Sequence, residues 1–362
     1  MRREALPSPL PLKVFVQKHN ELPVLASYEG KLSDDYWEKW TKRSYDSLTP
    51  VKSWVCPDRL VELASSLRFR DSELLSKVVG RLRDGADLGC RGPGRLPTSV
   101  KNSPSAAEFG VRLADALQDW IKEGLAFGPC LPGEMPWTDY TVNPLKVVLR
   151  PDGKARICIN MSAPYSKASD PPGFPASVNS GIDGDLFPAT MSSTKSFCVA
   201  LMRAGCPGEL CKLDWRSAYK HQAVRVEDHK LQVFEFGGRL FGELFTTFGG
   251  VSSAGIFDNL AKVVKALAIL KAMMDKRLVQ QVLDDVVACG PRGSGMVARF
   301  YAAYREVADL LGVSLADESD PEKAFGASSS GKVLGVMYDL ERWVWWLSED
   351  KLVPLILMLR RV

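Results

Sequence analysis

The chain has 362 residues, 47 Lys and Arg against 43 Asp and Glu, a formal net charge of +4, and is 46% hydrophobic and 25% charged. This is an ordinary globular composition, long enough for two or three units around sizeable cores, and its mild basicity permits a nucleic-acid partner without demanding one. No run approaches the ~18 apolar residues that cross a bilayer, and eight cysteines without a CxxC pair argue against a disulfide framework or a cysteine metal site.

The N-terminus, MRREALPSPLPLK, lacks an unbroken apolar core and does not read as a signal peptide. The expectation is an intracellular protein, cytoplasmic or nuclear, with no membrane partner. Residues 1–60 are rich in Pro, Trp, Tyr and charge without a clear period. Trp37, Trp40 and Trp54 are expected there as packing anchors. From Pro57 the spacing turns helical, in LVELASSLRFRDSELLSKVVGRLRDG, and stops at Gly85. A loop with Arg91, Arg95 and Lys101 follows, read as a solvated linker or a phosphate-contacting loop. A second amphipathic helix is expected over Ser105–Glu123.

Lys146 to Ser162, KVVLRPDGKARICINMS, alternates on both sides of Pro151-Asp152-Gly153 and predicts a β-hairpin with Arg150, Lys154 and Arg156 at or near its tip. Such a tip is either a solvated basic edge or a cradle for a polyphosphate or template strand. After a Pro/Gly/Ser-rich connection, a helix near Ser193–Ala204 leads into an acidic strand, ELCKLDW, that ends with Asp214. His221 and His229 are expected at the surface. A hairpin turns at Gly237-Gly238, and TTFGGVSSAGIFDNL opens a long helix to about Met274. Its Gly-Gly loop before a Ser-capped helix start offers N–H groups to an anionic ligand.

The next stretch, LVQQVLDDVVACG, is two apolar runs around Asp284 and Asp285, which predicts two buried strands with adjacent carboxylates at the turn. Adjacent carboxylates repel unless they share a cation, although an Asp-Asp turn can also be a plain solvated hairpin. The acidic strand ending at Asp214 favours the first reading. A helix over about Met296–Leu311, a strand GKVLGVMYD, and an aromatic strand with Trp343, Trp345 and Trp346 (expected in a core) come next. Residues 349–362 begin a further helix.

Two Mg²⁺ ions ~4 Å apart need carboxylates from separate strands converging on one spot. Hard cations of this kind choose carboxylate oxygens over Cys or His, and the chain has three histidines in all. The expected chemistry is therefore two-metal phosphoryl transfer, with Mn²⁺ as an alternative ion.

Four ordered stretches, CKLDWRSAYKHQAV, TFGGVSSAGIFDNL, QVLDDVVACG and GKVLGVMYD, supported by RPDGKARICINMS, resemble the fingers and palm of reverse transcriptases, most closely those of DIRS-type tyrosine-recombinase retrotransposons. The resemblance covers roughly residues 100–350. It implies an α+β right-hand polymerase fold with an antiparallel palm sheet and a largely missing thumb. Its units are an irregular extension (1–60), fingers-like helices and basic hairpin (61–162), a palm (163–348) and the start of a thumb or connection (349–362). The implied reaction is RNA-directed addition of deoxynucleotides to a primer 3′ end, with an RNA or DNA template, primer and dNTPs as partners. Asp214 and Asp284 resemble the metal-bridging acids and Asp285 the third, less essential one. Leu213 and Trp215 lend backbone groups around the metals. Tyr219 resembles the aromatic gate that excludes a ribose 2′-hydroxyl. Arg156 matches the fingers arginine that stacks on the base, and Arg150 or Lys154 the neighbouring lysine on the triphosphate. Phe248, Gly249, Gly250 and Ser252 border the incoming nucleotide, and Lys323 resembles the lysine that protonates pyrophosphate.

Two departures are visible. Val282 stands where the family usually has Tyr before the Asp pair, and Phe248 where retroviral enzymes have Gln. No RNase H carboxylates, recombinase or protease signature appears, so other parts of a polyprotein are candidate partners. The competing expectations are a catalytically inactive nucleic-acid-binding remnant of such an element and an RNA-directed RNA polymerase, against which Tyr219 speaks.

Overall fold

A computed structural model describes residues 32–91, 101–150, 153–164 and 177–359. In chain order its helices are α1 (Asp34–Glu38), α2 (Pro57–Ser66), α3 (Ser72–Asp84), α4 (Pro104–Glu108), α5 (Gly110–Lys122), α6 (Thr194–Ala204), α7 (Ser253–Ala272), α8 (Met296–Leu311) and α9 (Glu349–Leu359). Its strands are β1 (Ala126–Cys130), β2 (Val142–Asn143), β3 (Leu145–Leu149), β4 (Ala155–Ile159), β5 (Gly208–Asp214), β6 (Val233–Phe236), β7 (Arg239–Glu243), β8 (Val279–Val282), β9 (Asp285–Pro291), β10 (Phe325–Ser328), β11 (Ser330–Val333), β12 (Val336–Asp339) and β13 (Val344–Leu347). The fold is mixed α+β.

The sheet that matters most has the order β10-β5-β9-β8, antiparallel throughout. β5 and β9 are central and almost wholly buried; the apolar run of β9, Val286 to Cys289, suits that place, while β5 carries Lys212 and Asp214 into it. α6 and α8 pack on β9, and α7 packs against α8 in the same apolar core. Leu210, Leu213, Val286, Phe257, Phe300 and Val307 sit there without measurable exposure beyond 1%. Each such side chain contributes roughly 1.5–3 kcal/mol relative to exposure. A second sheet, β1-β7-β6-β2, is antiparallel except for the parallel β2–β6 edge. Beside it, α5 packs on β4 of the β3–β4 hairpin, and Trp37 and Trp40 are buried as expected, against Phe241. The third sheet is the meander β11-β12-β13, after which α9 begins.

Several expectations need correction. The helical stretch from Pro57 is two helices, because Arg68 adopts a left-handed φ of 55° and Asp71 caps a new start by accepting from the Leu74 N–H at 3.0 Å. The helix expected over Ser105–Glu123 is likewise interrupted, at Phe109. GKVLGVMYD is two strands around Leu334-Gly335, both at positive φ (50° and 82°). His221 and His229 are fully buried, not superficial. His221 Nδ1–H donates to the Ala218 carbonyl and Nε2 accepts from the Ser314 N–H, while His229 bonds the Val224 carbonyl and Tyr45. Burial pulls the pKa of both to about 4, so they are neutral braces. Trp343, Trp345 and Trp346 are 42–68% exposed rather than core. Ser252 stands at the start of α7 but its hydroxyl makes no capping bond.

Arg95 and the Pro151-Asp152 turn lie outside the described residues. All eight cysteines are free thiols. Among the described residues no helix is long and apolar enough to cross a membrane.

Candidate functional site

The β5–β9 register is what assembles the acids. It runs from Gly208 opposite Pro291 to Asp214 opposite Asp285, and one residue further the Trp215 N–H donates to the Asp284 carbonyl at 3.1 Å. Three carboxylates separated by some seventy residues of chain are thus gathered at one end of the sheet. Leu283 and Asp284 form the tight link between β8 and β9, and Leu283 takes a left-handed φ of 50° that a branched side chain rarely adopts. The Gln281 side-chain amide donates to the Leu283 carbonyl at 2.9 Å and supports this turn. From below, Trp215 is buried and its indole N–H donates to the Tyr304 hydroxyl of α8 at 2.7 Å. Leu213 is buried in the core and Trp215 is held as a rigid floor.

Electrostatics reflect the crowding. Burial, then the charges of Asp214 and Asp285, raise the pKa of Asp284 from 3.8 to about 6. Burial raises Asp214 also, although Lys323 opposes it. The Lys323 ammonium donates to Asp214 Oδ2 at 2.7 Å. Burial disfavours the Lys323 charge, but Asp214 and the neighbouring acids outweigh it and raise its pKa. Lys212, two residues before Asp214 on the same strand face, places its ammonium 3.1 Å from Asp285 Oδ1. Sequence reasoning missed Lys212, although the period-2 rule would have put it beside the acids.

A group whose pKa is raised on folding binds its proton more tightly in the folded state, so its stabilisation is full below the unfolded value and is lost as pH rises through the folded one. In chelator, the stability of the wild type relative to Asp284→Asn is therefore expected to fall between about pH 4 and 6. Urea midpoints of the two proteins at matched pH check this, and a difference that stays flat over the range would contradict it.

The donors at this spot are carboxylate oxygens, which suit a hard divalent cation in kind. Asp285 Oδ1 is buried without a hydrogen-bond donor aimed at it. Among the described residues no three His, Cys, Asp or Glu side chains are drawn up into a finished metal cage. Lysine ammoniums hold two of the three acids instead.

A second group adjoins the acids. Tyr219 lies just after β5, and Asp284 contributes, after burial, to raising its pKa. Its ring meets Phe248 edge-on at 4.8 Å, and the Arg156 guanidinium stands over the Phe248 ring, 4.9 Å from its centroid. Phe248 is 51% exposed. Gly249 touches β4 so closely that a Cβ would lie 1.4 Å from the Ile159 carbonyl oxygen, and a Cβ on Gly250 would meet Ser253 Oγ at 2.7 Å. Asn179 staples this loop. Its Nδ2 donates to the Gly249 carbonyl and to Ser162 Oγ, and its Oδ1 accepts from the Val251 N–H, all within 3.0 Å. Nothing in the sequence around Asn179 signals that role, since it lies in a stretch rich in turn-forming residues. Arg150 and Lys154 flank the hairpin tip, exposed and joined by an Arg150 N–H to Lys154 carbonyl bond of 2.9 Å. Arg156 is tied to the aromatic pair through Phe248.

No protein-family model matches the sequence, and none of the curated proteins matches it either. Solved structures do. The foamy viral protease-reverse transcriptase dRH in complex with double-stranded DNA superposes with a TM-score of 0.50 at 13% identity, covering 81% of this chain and 47% of that one. The native prototype foamy virus protease-reverse transcriptase gives 0.48 at 15% identity, over 82% of this chain and 35% of its own. The foamy viral protease-reverse transcriptase in complex with an RNA/DNA hybrid gives 0.49 at 12%, over 81% of this chain and 36% of its own. The chain therefore spans less than half the length of these proteins. The fold is reverse-transcriptase-like, as the ordered motifs implied.

Proposed function

We propose that the protein is a nucleotidyltransferase that extends a primer 3′ end with deoxynucleotides on an RNA template, from a DIRS-type retrotransposon. The observation that carries the reading is the β5–β9 register, which sets Asp214 opposite Asp285 with Asp284 in the adjoining turn. Lys323 on Asp214 and the Tyr219–Phe248–Arg156 group beside them supply the other parts the chemistry needs.

In this reading Asp214, Asp284 and Asp285 would hold two Mg²⁺ ions, or Mn²⁺, which activate the primer hydroxyl and neutralise the triphosphate when bound. The protein's own groups do the remainder. Lys323, released from Asp214, carries a proton to the departing pyrophosphate oxygen. Arg156 stacks on the incoming base, and Arg150 or Lys154 meets the triphosphate. The Gly249-Gly250 loop, whose missing side chains let it lie against β4 and Ser253, presents its backbone to nucleotide and template. Tyr219, backed by Phe248 and Phe257, closes the space that a 2′-hydroxyl would need.

Tyr219→Ala should raise incorporation of ribonucleotides relative to deoxynucleotides by about tenfold to a hundredfold, since a rigid wall is exchanged for a gap. Single-nucleotide extension with rNTP and dNTP measures the ratio; an unchanged ratio would remove Tyr219 as the gate. The whole reading is tested by primer extension on an RNA template with dNTPs and Mg²⁺, beside Asp284→Asn. A second reading, a nucleic-acid-binding protein of the same fold without chemistry, draws on the two lysines that already neutralise Asp214 and Asp285. Template binding without extension by the wild type would favour it.

A further inference from the structure

Lys212 is 6% exposed, on a face of β5 that it shares with the fully buried Leu210 and with Asp214, itself 5% exposed. A buried ammonium in such a place is costly unless it is paired. It has two partners. One is Asp285 Oδ1 at 3.1 Å, reached diagonally across the β5–β9 pair. The other is the backbone carbonyl of Glu322, which accepts from its Nζ at 2.9 Å. Glu322 directly precedes Lys323, whose ammonium in turn sits on Asp214. The turn that carries them is also held by Asp320 bonds to the Glu322 and Lys323 N–H groups and by an ion pair of the exposed Glu322 carboxylate with Lys332 of β11 at 3.0 Å. The Glu322 carbonyl itself is held by the bond from Lys212. Lys212 therefore connects an acid of the site with the backbone that presents Lys323. Its approach to Asp285 is a charge contact without hydrogen-bond alignment, so the carboxylate keeps its lone pairs for another ligand.

We infer that Lys212 is a positioning residue of the acidic site: it holds Asp285 by charge in place of a divalent cation, and it anchors the Glu322–Lys323 backbone so that Lys323 meets Asp214. The inference rests on the metal-dependent polymerase reading above. It has two separable consequences, because Lys212 makes two different contacts. Losing its charge frees Asp285 for a cation. Losing its hydrogen bond slackens the segment that bears Lys323.

Lys212→Met keeps the volume and removes both contacts. The concentration of Mn²⁺ that half-saturates the rise in thermal midpoint should fall about tenfold, since a competing ammonium is gone. Extension should lose about tenfold to a hundredfold in kcat with KM for dNTP nearly unchanged. Lys212→Gln, which retains a donor for the Glu322 carbonyl but no charge, should show the same metal shift with a smaller loss of kcat. Lys212→Arg, which keeps the charge, should leave the Mn²⁺ midpoint near that of the wild type. Asp284→Asn is the reference that should lack the wild-type Mn²⁺ response. If Asp284→Asn abolishes that response while Lys212→Met and Lys212→Gln leave its midpoint unmoved, the role of Lys212 is overturned and the metal reading stands. If the wild type has no response that Asp284→Asn removes, the metal reading itself falls and the inference with it. Should Lys212→Met fail to fold, the Gln and Arg pair decides by the same midpoint.

Discussion

Asp284→Asn is expected to abolish primer extension, lowering its rate by about a thousandfold or more, while template-primer affinity changes little. One carboxylate that would hold a divalent cation at the reacting phosphate is worth several kcal/mol of transition-state stabilisation, and each 1.4 kcal/mol is tenfold in rate. The substitution is nearly isosteric, and it touches none of the basic groups on the hairpin. It also relieves repulsion, because Asp284 is half-buried beside Asp214 and Asp285 and its pKa is already pushed up to about 6. The variant should therefore be no less stable than the wild type at pH 7 in chelator, which separates lost chemistry from lost fold. Extension assays with matched binding and urea denaturation measure the three quantities. Extension within a few-fold of the wild type would sink the assignment of the acids.

The second large effect is on stability. Glu243, at the end of β7, is fully buried and paired with Lys220, itself buried just after Tyr219. The Lys220 ammonium also stands 4.1 Å from the centroid of Trp120 in α5. Both Glu243 carboxylate oxygens lack any other partner among the described residues. Glu243→Leu leaves an uncompensated buried ammonium and should cost about 3–5 kcal/mol, whereas Lys220→Met combined with Glu243→Leu should return to within about 1–2 kcal/mol of the wild type. Burial by itself pulls the Lys220 pKa down. In the single variant the carboxylate no longer opposes this and only the Trp120 ring face favours the charge, so the unfolded state binds the extra proton and stability should recover as pH rises toward 10. Urea denaturation at pH 7 and 9 tests it; an equal loss in the single and double variants would mean that the pair does not act as a unit. Because Lys220 follows Tyr219, the same pair also fixes the turn that bears the proposed gate.

Much of this could be read from the chain. The tight β8–β9 link, the acidic strand, the two Gly-bounded hairpins and the helix over Met296–Leu311 all show as local period and turn chemistry, and the structure has them within a residue or two. Local pattern failed where two apolar residues flank an inconspicuous turn, as at Leu334-Gly335, since a hydrophobic run does not announce its own reversal. It failed again at the tryptophans of β13, whose exposure depends on what packs over the meander and not on their own hydrophobicity.

By itself the sequence determined which residue types were available: carboxylates at strand ends, basic residues at a hairpin, glycines where backbone had to approach backbone. Those follow from periodicities of two and 3.6 and from the conformational range of Gly, which are properties of neighbouring residues. Only the tertiary structure decided the partners. The register of β5 against β9 set Asp214 opposite Asp285, and a turn some 109 residues from Asp214 delivered Lys323 to it. Packing buried His221 and His229 as neutral braces and turned Lys212 from a strand residue into a counter-charge for Asp285. The reason is physical: local period says which face of a strand a residue occupies, whereas burial and charge contacts depend on the remote segments that fold against that face.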